Sequence, residues 1–344
     1  AARRMEESTG FPACTVHKAL GLESGDLREL KKMEFLNADL VLVDEVSMVD
    51  MLLAWHLLQA IPPGCRLILV GDVDQLPSVG PGAVLSELLK CERIPRVILD
   101  KVFRQDAGSR IAVNAQRIKH GNTDLLIDQS DDCFQFLQSA DAHQSATWLQ
   151  QLYLRVVAQY GVDNVALLTP FREKTETGVR LLNPVLREML NPESPGKAEL
   201  NFGQRIYRQG DKVMQIRNRE DVSNGDIGYI YQCERNEDGI SVLVDYRDGR
   251  IAAYEDAESL RLLDLAYAMT IHKSQGSEYD AVLINIQNYH GRMLKRSIIY
   301  TAITRAKRRV FIVGDWEALM RAIETEDAEL RNTFLADRTA ALGA

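Results

Sequence analysis

Several features that would set class or compartment at once are missing from this sequence. No run of about 18 consecutive apolar residues exists, which excludes a hydrophobic membrane-spanning helix. The opening residues, Ala1-Ala2-Arg3-Arg4-Met5-Glu6-Glu7, hold no apolar stretch of the signal-peptide kind. The expectation is a cytoplasmic protein with no membrane partner. Cysteine is scarce: Cys14, Cys65, Cys91, Cys133 and Cys233 are odd in number, scattered, and never spaced as Cys-x-x-Cys. That argues against a zinc site and a disulfide framework and leaves them as small apolar side chains. Excess positive charge is lacking too, since the formal net charge is −8. The surface as a whole is therefore unsuited to coating a nucleic acid, although a local basic groove stays compatible with it. What is present is a globular composition, with 344 residues of which 46% are hydrophobic and 26% charged, enough for two or more cores.

Leu40–Val43 and residues 66–70 are short apolar runs, each ending in an acidic or polar cluster, and they read as buried parallel strands. The helical spacing of Met51–Ala60 and the Pro62-Pro63-Gly64 turn complete a strand, helix, strand crossover. Chemistry is then expected at the carboxyl ends of the strands. A second set of strands at Val165–Thr169, 281–286 and 310–313, with helical patterns over 174–190 and 294–306, predicts a second α/β domain. Leu69-Val70-Gly71-Asp72 is echoed by Ile312-Val313-Gly314-Asp315, a faint sign of duplication. Between them, alternating runs at 212–216, 227–231, 241–246 and 250–254, separated by Asn224-Gly225-Asp226, Asp238-Gly239 and Asp248-Gly249, predict a small antiparallel β-barrel entered through a linker at 191–196. The expected division is 1–100 for the first domain, 101–200 with 263–344 for the second, and 201–262 for the insertion.

Four strings carry chemistry. Asp44-Glu45 places two carboxylates at a strand end. The pair is either a solvated acidic terminus or a nucleotide-hydrolysing pair in which the first holds Mg²⁺ and the second polarises water. Gly71-Asp72-Val73-Asp74-Gln75-Leu76-Pro77 is either a Gly, Asp and Pro turn or a loop whose Gln75 senses a γ-phosphate. Thr270-Ile271-His272-Lys273-Ser274-Gln275-Gly276-Ser277-Glu278 is either a purely structural loop, which rarely concentrates donors so densely, or one suited to the phosphates of DNA or nucleotide. The run from Tyr300 through Arg309 ends in four cations, which suit a helix C-terminus, or make Arg305 a cation reaching across a cleft to the γ-phosphate.

Together with Thr15-Val16-His17-Lys18, Val102-Phe103-Arg104-Gln105 and Gly210-Asp211-Lys212-Val213-Met214-Gln215, these strings resemble, in order and spacing, superfamily 1 helicases of the RecD-like class, closest to the stand-alone type. His-Lys-Ser-Gln-Gly also occurs in Pif-type helicases. The resemblance covers nearly the whole chain. It implies two RecA-like parallel-sheet motor domains, the first incomplete, with ATP between them and single-stranded DNA crossing both, and translocation 5′ to 3′. By resemblance, Asp44 would hold Mg²⁺ and Glu45 would act as general base. Gln75, Arg104 and Arg305 would approach the γ-phosphate, and Glu278 the nucleotide sugar. Thr15, His17, Thr169, Asn224, Thr270, His272 and Ser274 would line the DNA path. The implied role is an ATP-dependent DNA helicase of recombination or repair, acting as a monomer on single strands and on single/double-strand junctions.

One departure stands out. The family's Gly-x-x-x-x-Gly-Lys-Thr/Ser loop, whose amides and lysine cradle phosphates, occurs nowhere in the chain. The expectation is a chain cut after that loop, which alone binds ATP poorly and hydrolyses little. Two other readings stay open: a non-hydrolysing helicase-like DNA-binding or scaffold protein, and an RNA-directed motor, since phosphate contacts do not report the 2′-hydroxyl.

Overall fold

The computed structural model describes residues 2–22, 34–99, 108–127, 133–219, 222–236, 239–326, 331 and 333–341. In the first unit, β1 (Leu40–Val43) and β2 (Arg66–Leu69) pair in parallel, with Leu40 opposite Arg66. The helix Met51–Ala60 joins them. It starts where the Asp50 carboxylate accepts the Leu53 N–H at 2.8 Å, satisfying a donor that the first turn cannot. Its Leu53, Ala54, Leu57 and Ala60 pack against Val43, Val46 and the helix Val84–Lys90. The strands were expected to be buried on both faces, and here the structure differs. Leu40, Leu42 and Ile68 are 51%, 47% and 45% exposed, because among the described residues the packed helices cover one face only.

Further along the chain come β3 (Phe134–Gln138) and β4 (Val165–Thr169). An antiparallel stretch follows: β5 (Glu199–Phe202), β6 (Arg205–Arg208), β7 (Lys212–Gln215), β8 (Ile227–Asn236), β9 (Gly239–Asp245), β10 (Ile251–Tyr254) and β11 (Leu263–Leu265). Last are β12 (Ala268–Thr270), β13 (Tyr279–Ile286) and β14 (Ala306–Gly314). The second unit is a sheet of order β12-β4-β13-β14-β3 in which every neighbouring pair is parallel. The helices Ala142–Tyr160 and Val179–Leu190 cover one face through Leu149, Leu182 and Leu186. Arg110–Lys119, Arg296–Ile303 and Trp316–Glu324 cover the other through Ile111, Ile299 and Leu319. This is a three-layer α/β arrangement of the kind expected of a RecA-like motor domain. β3, β12 and the long helix Ala142–Tyr160 were not foreseen from the apolar runs.

The helix expected over 294–306 ends at Ile303, and Lys307, Arg308 and Arg309 lie in β14. Their charges therefore answer no helix dipole; Arg309 Nε instead donates to the Tyr160 hydroxyl at 3.1 Å. The Gly71 and Gly314 echo has a common cause. A Cβ on Gly314 would sit 1.6 Å from the Ile286 carbonyl oxygen, and one on Gly71 would sit 3.1 Å from the Val46 and Ser47 nitrogens. Each glycine lets one strand exit press against its neighbour's exit.

The antiparallel stretch forms an open sheet, β10-β9-β8-β7-β11, beside a separate β5-β6 hairpin. The expected closed barrel is not seen among the described residues, since β10 and β11 lie at opposite edges. Leu200 and Tyr207 of the hairpin pack into the sheet's own core with Val213, Val242 and Val244, adding a second layer rather than completing the ladder. The sheet is fastened to the second unit at Asp163. This carboxylate accepts from the Tyr229 hydroxyl and pairs with Arg247 at 2.8 Å, while the Arg247 guanidinium lies over the Tyr229 ring. Among the described residues no helix is long and apolar enough to cross a membrane.

Candidate functional site

Asp44 stands exposed where β1 ends, and its Oδ1 accepts the Glu45 N–H at 2.8 Å. Glu45 is in the left-handed region, with φ 55° and ψ 40°, at the entry to a short turn over Val46–Met48. A non-glycine residue there is strained, and such strain persists where packing around it dictates the backbone. Val46, 1% exposed, supplies that packing, and its N–H bonds to the Val70 carbonyl at 2.9 Å. The two carboxylates are thus presented at the strand end on a rigid turn. Among the described residues no cluster of three or more His, Cys, Asp or Glu could cage a metal. One or two carboxylates suit Mg²⁺, which keeps waters and substrate phosphates as its other ligands.

The loop after β2 is docked onto the second unit. The Leu76 N–H donates to Thr301 Oγ1 at 2.8 Å, Gln275 Nε2 donates to the Leu76 carbonyl at 3.1 Å, and the Tyr300 hydroxyl donates to Asp72 Oδ2 at 3.0 Å. Lys119 pairs with Asp74 at 2.6 Å. At the centre, Arg305 Nη2 donates to Gln75 Oε1 at 2.9 Å. Arg305 is 1% exposed, and its Nε and Nη1 donate to the Thr301 and Ser277 carbonyls at 3.1 and 3.3 Å. The structure therefore brings Gln75 and Arg305 into direct contact, with the guanidinium oriented by backbone oxygens. Glu278 is only 10% exposed at its side chain and lies close by in sequence, paired with Arg4 at 2.7 Å and Lys307 at 3.6 Å. Arg104 falls outside the described residues.

The residues expected along DNA behave unequally. The Thr15 hydroxyl caps the short helix Val16–Ala19 by accepting from the Lys18 N–H at 3.3 Å. Burial lowers the pKa of His17, opposed by the nearby Asp50 charge, so the imidazole is biased to its neutral form. Burial alone does the same to His272. Ser274 is fully buried and donates to the Ile271 carbonyl at 2.7 Å, so it offers nothing to an outside ligand in this conformation. Thr270 is half-buried at the end of β12. Thr169 ends β4 fully buried, and its hydroxyl has no hydrogen-bond partner among the described residues. Asn224 accepts from Lys273, whose pKa is lowered first by burial and then by Arg172. Thr270, His272 and Ser274 thus share one turn with Asn224 against it, whereas Thr15 and His17 belong to the first unit.

Tyr300, Thr301, Gln275 and Lys119 were not singled out from the sequence, yet they hold the loop that carries Gln75. The first three lay inside strings already noted, so proximity to those motifs was a usable signal. Lys119 had none, because its partner Asp74 is distant in sequence.

Comparison with known proteins finds helicases. Family models match an AAA domain over residues 1–141, the SH3 domain of ATP-dependent RecD-like DNA helicases over 182–246, and a UvrD-like helicase C-terminal domain over 265–313. The ATP-dependent RecD2 DNA helicase of Deinococcus radiodurans is 36% identical over 340 residues, covering 98% of this chain and 45% of that protein. The RecD subunit of the Mycobacterium tuberculosis RecBCD enzyme is 31% identical over 340 residues, covering 90% and 55%. The chain spans about half the length of these curated relatives. The Pif1 helicase of Candida albicans superposes with a TM-score of 0.52 at 17% identity, covering 96% of this chain and 85% of that one. A Bacteroides Pif1 helicase in complex with ADP-AlF3 and ssDNA superposes at 0.51 with 20% identity, covering 89% and 80%. Both structures share the fold.

Proposed function

Because this chain belongs to the RecD-like helicases, we propose that it is the motor portion of an ATP-dependent DNA helicase that moves 5′ to 3′ on single strands and opens duplex at junctions. Recombination or repair in the cytoplasm is the proposed setting. The observation that carries the reading is the Gln75 to Arg305 hydrogen bond, which joins the loop of one α/β unit to the other. A γ-phosphate arriving between the units would compete with Gln75 for the guanidinium, so nucleotide state would be felt in the contact that fastens them.

In this reading Asp44 holds Mg²⁺, which when bound supplies charge neutralisation for the phosphates. Glu45 accepts the proton of the attacking water, from a turn whose backbone is set by the packing of Val46. Glu278 faces the nucleotide sugar, and Arg104 is a further cation for the phosphates. Thr15, His17, Thr169, Asn224, Thr270 and His272 are assigned to the DNA path, and Ser274 to the turn that carries His272. The proposed domains are 1–100, 101–200 with 263–344, and 201–262 as a small antiparallel subdomain. With no Gly-x-x-x-x-Gly-Lys-Ser/Thr string in it, this chain by itself is expected to turn over little ATP.

The test is ATP hydrolysis by the full gene product, with and without single-stranded DNA, beside Glu45→Gln. The expected result is DNA-stimulated turnover that falls about a hundredfold or more in the variant, as for loss of a general base. Binding of DNA with no turnover would transfer the assignment to a non-hydrolysing scaffold, and stimulation by RNA alone would make it an RNA motor. Forked substrates with only a 5′ or only a 3′ tail read the direction.

A further inference from the structure

A cleft of about 1010 Å³ opens beside the docked loop, lined by residues of both units and by His272. Part of its wall is the C-terminal segment, which returns from the second unit to the first. Arg331 Nη1 donates to Ser78 Oγ at 3.0 Å and to the Gly80 and Gly82 carbonyls at 2.9 and 2.8 Å. Leu335 packs on the first unit's core, and the Ala336 N–H reaches Glu87 Oε2 at 3.4 Å. The segment is anchored on both sides of Phe334.

Phe334 lines the cleft, is 64% exposed, and has a left-handed backbone with φ 53°. A bulky side chain in that region is strained, and an exposed ring recovers little of the cost through burial. The cleft is also locally positive in a chain of net charge −8. Its cations are Lys90, Arg292, Lys295, Arg321 and Arg331. Of its carboxylates, Glu87 pairs with Lys90 at 2.6 Å and Glu326 with Arg296 at 3.2 Å, and the third is Asp337. An exposed aromatic ring on an anchored segment, in one cleft with several cations, suits a single-stranded nucleic acid, with bases stacking on the ring and phosphates following the charge.

We propose that the C-terminal segment is a nucleic-acid-binding wall of this motor, with Phe334 stacking one base of a single strand whose phosphates follow Arg292, Lys295 and Arg321. This rests on the helicase reading and adds to it a contact from outside the helicase strings. The experiment is fluorescence anisotropy of the chain with a dye-labelled oligothymidylate and with an abasic oligodeoxynucleotide of equal length. Phe334→Gly removes the ring and suits the left-handed backbone, so the anchors on either side are kept, and thermal unfolding checks that they are. The expected result is about tenfold weaker binding of oligothymidylate by Phe334→Gly, with abasic binding unchanged and Phe334→Trp like the parent. Wild-type affinity in Phe334→Gly, or equal loss for both oligonucleotides, overturns the stacking role while leaving the helicase reading intact. Failure of the parent chain to bind either oligonucleotide overturns both.

Discussion

Val165–Thr169 of the larger sheet is buried at every residue, whereas Leu40–Val43 of the smaller one is buried only at Val43 and leaves Leu40 and Leu42 about half exposed. The two strands have nearly interchangeable compositions. What separates them is coverage: helices lie on both faces of the larger sheet and on one face of the smaller. The chemistry also divides unevenly. The candidate carboxylates and Gln75 lie on the thinly covered unit, and the thickly covered one supplies Arg305 and the residues that hold the loop. The more thickly covered unit thus presents groups to a smaller one that carries the candidate carboxylates.

The comparison breaks most visibly at the cores. Leu167→Ala, at a position with no exposure, is expected to lower stability by about 2–5 kcal/mol. Urea unfolding measures it, and a loss as small as that of a surface site would mean the larger sheet is not the more tightly held. Next in size is the bridge between units. A double-mutant cycle of Gln75→Ala and Arg305→Ala is expected to give a coupling of about 0.5–3 kcal/mol, as for residues in direct contact. Additive effects would show that the hydrogen bond does not fasten them.

A pH measurement sharpens the contrast further. Burial between Phe171 and Tyr289 pushes the His290 imidazole down to about 3 from its ordinary 6.5. Below about 6.5 the unfolded chain takes up a proton that the folded one refuses, so stability falls as pH drops from there toward 3. In His290→Asn, which retains an acceptor for the Gln287 N–H, the slope of unfolding free energy between those limits should be flatter; an unchanged slope would remove His290 as its source. The smallest effect belongs to Leu42→Ala, 47% exposed, expected to be within about 0.5 kcal/mol of the parent.

Much of this was legible along the chain. The helix Met51–Ala60 and the strands Leu40–Val43 and Val165–Thr169 have the bounds that their apolar spacing and flanking turns suggest. Asp44-Glu45 lies at a strand end as the apolar run before it implies. The helix over 294–306 was read too long, because Lys307, Arg308 and Arg309 look like a helix C-terminus until Val310 through Val313 are seen to extend one strand back through them. β3 was missed since Phe134-Gln135-Phe136-Leu137-Gln138 is short and partly polar, and its strand identity comes from pairing with β14. Ser274 looked like a DNA contact by composition, but its hydroxyl closes a turn on Ile271.

The sequence by itself determined the local elements, the placing of carboxylates at a strand end, and the helicase kinship, because these depend on neighbours a few residues apart and on strings kept in order. Only the tertiary structure decided which sheet face is covered, that the middle sheet stays open, that Phe334 stands in a cationic cleft, and that Arg305 is buried against Gln75. That last contact joins residues 230 positions apart. No local periodicity encodes such a contact; it exists only once both units have folded and docked.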